Sequence, residues 1–226
     1  MTDFFTKDAA QGYDGRNRGL APISDGLHFL LQLMLQDLPA RARILCVGVG
    51  TGAEIMALAR AFPDWRFTGV DPSSAMLEVC AKNLVRERVL DRCELIHGYV
   101  QDVPEGGTFD SALSILVAHF IRRDDRLDFF RQMMARLKSG GILVNTEISF
   151  DLASPEFPSM LKNWEQVQKR MGATPESLAN LPGMMREMLT VLPPAEAEAL
   201  MVNAGVPSPT RFFQAFMITG WYALKG

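Results

Sequence analysis

The sequence predicts an α/β fold, a doubly wound and mostly parallel sheet with helices on both faces. Three observations lead there. Short apolar runs recur along residues 43–148, each followed by a helical pattern, so strands and helices alternate. Those runs are continuously apolar rather than alternating, as strands buried on both faces must be. The first of them, Ile44-Leu45-Cys46-Val47, breaks into Gly48-x-Gly50-x-Gly52 and then into a helix. A glycine turn at that junction lets backbone approach a ligand closely.

Each element follows in order. Residues 1–19 are polar and glycine-bearing. Residues 20–38 read as a helix, with Leu27, Leu30, Leu31, Met34, Leu35 and Leu38 on one side and Pro39 as its stop. Strands are expected at 43–47, 66–70, 93–97, 109–115 and 141–148. Helices are expected at 52–61, 73–87 and 124–138, the last closed by Gly140-Gly141. Residues 151–205 break this rhythm. They read as helical, punctuated by Pro155, Pro158, Pro175, Pro182 and Pro193-Pro194, and rich in methionine. Residues 212–225 then read as two short strands, broken near Gly220 or just before Met217. There are no repeats, so a single domain over 1–226 is expected, with 1–38 as an N-terminal cap and 151–205 as a helical lid.

Composition narrows the function classes. With 226 residues, 48% of them hydrophobic and 22% charged, the chain has material for one sizeable core. A net charge of −3 argues against a protein built to grip a nucleic-acid backbone. Arg122, Arg123 and Arg126 are offset by Asp124, Asp125 and Asp128 in the same turns. Cys46, Cys80 and Cys93 have no CxxC spacing and read as buried or inert thiols, so no metal is expected. No apolar run reaches the roughly 18 residues of a membrane span, and residues 1–11 carry two acids rather than a leader's apolar centre. A cytoplasmic protein is the expectation.

The chemistry lies in two segments. The run Phe67-Thr68-Gly69-Val70 ends on Asp71, followed by Pro72. A strand, a glycine turn, a helix and a second strand closing on a carboxylate form a nucleoside-binding unit, with the carboxylate placed for both ribose hydroxyls. The spacing is G-x-G-x-G rather than the G-x-G-x-x-G of dinucleotide folds, and no Lys-Ser/Thr follows to mark a phosphate loop. In this the chain resembles the class I S-adenosylmethionine (SAM)-dependent methyltransferases, from about residue 11 to residue 225.

The resemblance implies a seven-stranded Rossmann-like sheet with the last strand antiparallel, and SAM as cofactor, leaving as S-adenosylhomocysteine. It implies that Gly48, Gly50 and Gly52 lie under the methionine tail and that Asp71 and Pro72 serve the ribose. Met76 would lie against the adenine or in the core. The loop 97–104 would read the adenine edge through the Val100 backbone and either Gln101 or Asp102, because Tyr99 stands where many relatives carry an acid. Relatives usually carry an acid two positions before the first glycine as well. Here that position is Cys46, so the tail is expected to lean on backbone carbonyls.

The fourth strand, FDSALSILVAHFI, resembles the family's strand ending in S-x-L-x-x-H. It implies that Ile115 runs beside the cofactor and that His119 stands at the mouth of the site, as a candidate catalytic group. The segment QGYDGRNRGLAP resembles the stretch that closes over SAM in small methyltransferases. It would bring Tyr13 to the cofactor, Arg16 or Arg18 to an anion, and His28 near the sulfonium. In the lid, Trp164, Phe157, Met184, Met185 and Met188 either line an acceptor pocket or form an internal core, and both readings stay open.

The function so implied is methyl transfer to a small, largely apolar acceptor, with no nucleic-acid or membrane partner and the choice between monomer and homodimer open. Two alternatives remain. The tail FFQAFMITGWYALK is similar to the one that closes the carboxy-SAM synthases of tRNA modification, although Leu200 stands where those enzymes hold the added carboxylate with an arginine. The other is a non-catalytic SAM-binding regulatory protein.

Overall fold

The computed structural model describes residues 7–106 and 108–226, so the first six residues of the expected cap lie outside it. The chain opens with α1 (Lys7–Asn17), a short turn and α2 (Ala21–Leu35). It continues through β1 (Arg43–Val47), α3 (Ala53–Ala61), β2 (Arg66–Asp71), α4 (Ser74–Arg86), β3 (Cys93–His97) and β4 (Phe109–Ile115). Then come α5 (Arg123–Arg136), β5 (Leu137–Ile148), α6 (Phe157–Arg170), α7 (Pro175–Glu187), α8 (Pro194–Asn203), β6 (Thr210–Ala215) and β7 (Ile218–Leu224).

One seven-stranded sheet results, ordered β3-β2-β1-β4-β5-β7-β6, parallel except for β7, which runs antiparallel to both of its neighbours. Side chains of β1 alternate between two cores, as the strand period requires. Leu45 and Val47 enter the layer closed by Phe129, Phe130 and Met133 of α5 and by Ala197 and Met201 of α8. Ile44 and Cys46 enter the layer closed by Leu27, Leu31 and Leu35 of α2, Ile55 and Leu58 of α3, and Cys80 and Leu84 of α4. The strand order reverses at β1, which lies between β2 and β4, so the crevice for a ligand opens at the carboxyl ends of those strands.

Two details differ from the sequence expectation, and a third settles a choice that it left open. Residues 7–17, read only as polar, form α1. The helix expected over 124–138 stops at Arg136, and β5 begins at Leu137. Leu137 is fully buried and pairs with Phe109, whereas Ser111 pairs with Ile142, so residues 138–141 bulge out of the ladder. Gly140, at φ +74°, marks that bulge rather than a helix end. The final turn falls just before Met217, where Phe216 takes φ +53°, while Gly220 lies inside β7.

A third core belongs to the lid. Phe157, Trp164 and Val167 of α6 and Leu181 and Met185 of α7 pack on Leu20, Met217 and Ile218. A Cβ on Gly19 would come within 2.2 Å of the Arg170 carbonyl oxygen, so the cap meets the end of α6 backbone to backbone. Among the described residues no helix is long and apolar enough to cross a membrane.

Candidate functional site

The glycine turn follows β1 directly. The N–H groups of Gly48 and Val49 both donate to the Val70 carbonyl, at 2.8 and 3.1 Å, which turns the chain back over β2. Gly48 has φ +66°, and a Cβ there would lie 2.5 Å from Val117 Cγ2, so the position has no room for a side chain. Gly50 is the opposite case. At φ +53°, a Cβ would meet nothing nearer than the Gly48 carbonyl oxygen at 4.0 Å. Its open side is a cradle that a side chain would fill and a ligand can use.

Asp71 closes the turn from β2. Its Oδ2 accepts the Gly50 N–H and its Oδ1 the Ser73 N–H, both at 2.9 Å. Burial raises the carboxyl pKa, and the two backbone donors and the nearby His97 pull it back down. Each oxygen keeps a further lone pair, the arrangement a vicinal diol needs. Ser73 Oγ caps α4 by accepting the Met76 N–H at 3.3 Å, and Met76 itself is buried. Pro72 is exposed, with its carbonyl 3.0 Å from His97 Nε2.

The neighbouring loops converge on this point. The Gly98 N–H donates to the Asp71 carbonyl at 3.0 Å. Asp102 folds back over Gly98 and accepts the Tyr99 N–H at 2.7 Å, and the Gln101 and Asp102 side chains are both exposed. The Gln101 and Val103 carbonyls accept from Arg136, at 3.0 and 2.7 Å, and the Val100 side chain is buried in the core. Arg136, which the sequence did not single out, thus anchors this loop to α5. After Ile115, Leu116 takes φ +59°. That conformation costs a side-chain-bearing residue about 1–2 kcal/mol. Its N–H is held by the carbonyl and hydroxyl of Thr146, at 2.8 and 3.1 Å.

The N-terminal helices pack beside the glycine turn. Asn83 Nδ2 donates to Asp14 Oδ2 and to the Thr51 carbonyl, both at 3.0 Å, tying α1 to α4 and to the glycine turn at once. Burial raises the Tyr13 pKa, a hydrogen bond with Asn17 opposes it, and the charges of Glu54, Asp14 and Asp71 add to it. Tyr13 therefore sits among the carboxylates of the site. His28 Nε2 lies 3.7 Å from Glu54 Oε1, in the first turn of α3. Arg16 and Arg18 are exposed.

His119 does not stand at the mouth of the site. It is 3% exposed, its Nδ1 accepts the Ile148 N–H at 3.3 Å, and its ring tilts against Phe120. Burial, with the charge of Arg126, lowers its pKa to about 3, so it remains a neutral imidazole. The lid residues also separate. Trp164 and Met185 are buried in the third core, while Met184 and Met188 are exposed, 38% and 52%. Arg126, read with Arg122 and Arg123 as offset by Asp124, Asp125 and Asp128, is fully buried and pairs with Glu147 instead.

Two surface depressions lie away from this edge. One, of about 370 Å³, is lined by Arg131, Met134 and Lys225 among others. The other, of about 290 Å³, is lined by Arg43, Arg66 and Cys93 at the strand starts. Ligands of doubly wound sheets bind at the strands' carboxyl ends, so neither is the site.

Residues 44–141 match the model of a family described as "Methyltransferase domain". The erythromycin 3''-O-methyltransferase of Saccharopolyspora erythraea is 32% identical over half of the chain, which spans only 37% of that enzyme's length. The carboxy-S-adenosyl-L-methionine synthase of Campylobacter fetus subsp. fetus is 24% identical over 98% of this chain and 94% of its own. In fold, a geranyl diphosphate C-methyltransferase of Streptomyces coelicolor A3(2), solved with S-adenosyl-L-homocysteine, superposes with a TM-score of 0.64. It is 12% identical, over 89% of this chain and 76% of that one. With the glycine turn, Asp71 and the strand order, these matches show a methyltransferase domain at residues 44–141, set in the fold of Rossmann-like methyltransferases.

Proposed function

We propose that this enzyme moves a methyl group from SAM to a small, largely apolar acceptor. The observation that carries the cofactor half is the pairing of the Gly50 cradle with Asp71, whose two oxygens are aimed by backbone donors toward one crevice. Bound there, SAM supplies a methyl on a sulfonium. The chain's own part is alignment and exclusion of water, which in-line displacement chiefly requires. Gly48 and Gly50 admit the tail, Asp71 holds the ribose, and Met76, Val100, Asp102 and Gln101 surround the base. Ile115 and Leu116 form the wall beneath the lid, and Tyr13 and His28 close the cap side. With His119 buried and neutral, no general base is assigned, which suits an acceptor that reaches the site already deprotonated.

The acceptor reading rests on the lid. Met184 and Met188 present adaptable apolar surface, and Arg122 and Arg123 are paired with Asp125 and Glu196, at 2.9 and 2.5 Å, rather than free for phosphates. Calorimetric titration with S-adenosylhomocysteine, followed by methyl transfer from labelled SAM to a panel of apolar aromatics and to tRNA, tests both halves. Turnover of tRNA alone would overturn the acceptor reading.

The carboxy-SAM synthase reading is favoured by the near full-length match. Against it, Leu200 occupies the position of the carboxylate-binding arginine, and the nearest later cation, Arg211, is engaged by Glu198. Mass spectrometry of the co-purified nucleoside separates SAM from carboxy-SAM.

A further inference from the structure

A methionine tail carries an α-ammonium, and a buried or half-buried cation requires an acceptor of opposite charge. The groups beside the glycine turn that could supply one are few. Cys46 is fully buried, and its thiol is pushed well above its ordinary pKa, so it stays protonated and uncharged. Asp71 is held by the Gly50 and Ser73 N–H groups, and its remaining lone pairs are assigned to the ribose. Asp14 is turned to Asn83. Among the described residues beside the turn, Glu54 is the acid that remains.

Glu54 sits two residues past Gly52, in the first turn of α3. An acid there commonly complements the helix dipole from solvent. This one is largely withdrawn from solvent: its side chain is 17% exposed and turned toward His28 on α2, itself 15% exposed. Its negative charge helps to raise the pKa values of Cys46 on β1, Cys80 on α4 and Tyr13 on α1, in keeping with its place in the first turn after Gly52 and 3.7 Å from His28.

We propose that Glu54 is the counter-ion for the α-ammonium of the SAM tail, with His28 as the residue that positions it. The inference rests on the SAM reading of the site and adds to it the residue that recognises the amino-acid end. In chemical terms, the negative charge that Cys46 cannot carry from β1 is supplied from the first turn of α3.

The test compares two ligands by calorimetry on the full chain. S-adenosylhomocysteine carries the tail, whereas 5′-deoxy-5′-methylthioadenosine keeps the nucleoside and sulfur without it. Glu54→Gln, nearly isosteric, is expected to weaken S-adenosylhomocysteine by about tenfold or more, the size of one charge-assisted contact. Binding of 5′-deoxy-5′-methylthioadenosine should stay within about twofold, since it makes no such contact. Glu54→Asp should recover part of the loss. Equal weakening of both ligands, or no weakening of either, overturns the assignment. If the unmodified chain binds neither ligand, the SAM reading falls, and that result is distinct from a failure of Glu54 alone.

Discussion

The two halves of the sheet's carboxyl edge solve opposite problems. On the β1–β2–β3 side the working groups are mainly backbone: the Gly48 and Val49 N–H groups on Val70, the Gly50 N–H on Asp71, and the Gly98 N–H on the Asp71 carbonyl. One carboxylate organises them. On the β4–β5–β7 side the edge is stitched by side chains. Arg126 pairs with Glu147 at 2.6 Å, donates to the Ile121 carbonyl at 3.2 Å, and donates to Thr190 in the segment between α7 and α8. The Thr190 N–H returns to the His119 carbonyl at 2.8 Å, and Ser149 Oγ reaches the Leu192 carbonyl at 2.7 Å. The first half is built around one carboxylate and backbone N–H groups. The second is closed by side-chain contacts, and it fastens the segment between α7 and α8 to the sheet.

That contrast can be broken from either side. The largest effect should come from Arg126→Met. Removing the guanidinium leaves the Glu147 carboxyl buried without its partner and the Ile121 and Thr190 carbonyls without their donor, and breaking a buried pair from one side typically costs about 3–5 kcal/mol. Urea unfolding checks it, and Arg126→Met combined with Glu147→Gln should recover much of the loss. A cost under about 1 kcal/mol would show that the lid is fastened elsewhere.

Asp71→Ala addresses the other half. Two charge-assisted contacts to the ribose are removed, about 2–4 kcal/mol of S-adenosylhomocysteine affinity by calorimetry. An unchanged dissociation constant would detach Asp71 from the ligand.

The third effect is in pH. His119 is held neutral down to about 3 in the folded chain but takes up a proton near 6.5 when unfolded. Its contribution to stability is therefore present above 6.5 and is lost as pH falls, by about 2 kcal/mol between pH 7 and pH 5. Glu147, raised by burial to about 7, acts in the opposite sense: its contribution is present at low pH and is lost as pH rises from about 4.5 through 7. The two oppose each other in the unmodified protein. His119→Gln isolates one of them: its stability relative to wild type should improve by about 2 kcal/mol on going from pH 7 to pH 5. A constant difference across that range would mean that His119 is not kept neutral by the fold.

The smallest effect is expected at Met184 and Met188. Exposed as they are, Met184→Ser with Met188→Ser should change stability by no more than about 0.5 kcal/mol. S-adenosylhomocysteine affinity should not move, while KM for an apolar acceptor should rise. An unchanged KM would leave the acceptor to surfaces nearer Trp164.

What the chain declared in its own sequence is what depends on neighbours in sequence. The glycine turn, the strand before it and the acid at the end of β2 could be read because a turn's φ requirements and a buried strand's apolar run are local properties. The five parallel strands and the final hairpin were legible for the same reason. Even there, Gly140-Gly141 misled, because the pull on Leu137 comes from Phe109 in another strand.

Tertiary structure alone decided the rest. Asp14 and Asn83, 69 residues apart, dock a polar, glycine-bearing segment as α1. Arg126 and Glu147 could each have been a solvated charge, and the sequence offers nothing to mark them as partners. The same holds for Met184 against Met185, where one position of helical rotation separates solvent from core. Burial of a charge or a methionine depends on what packs over it, and here that covering comes from elements distant in the chain.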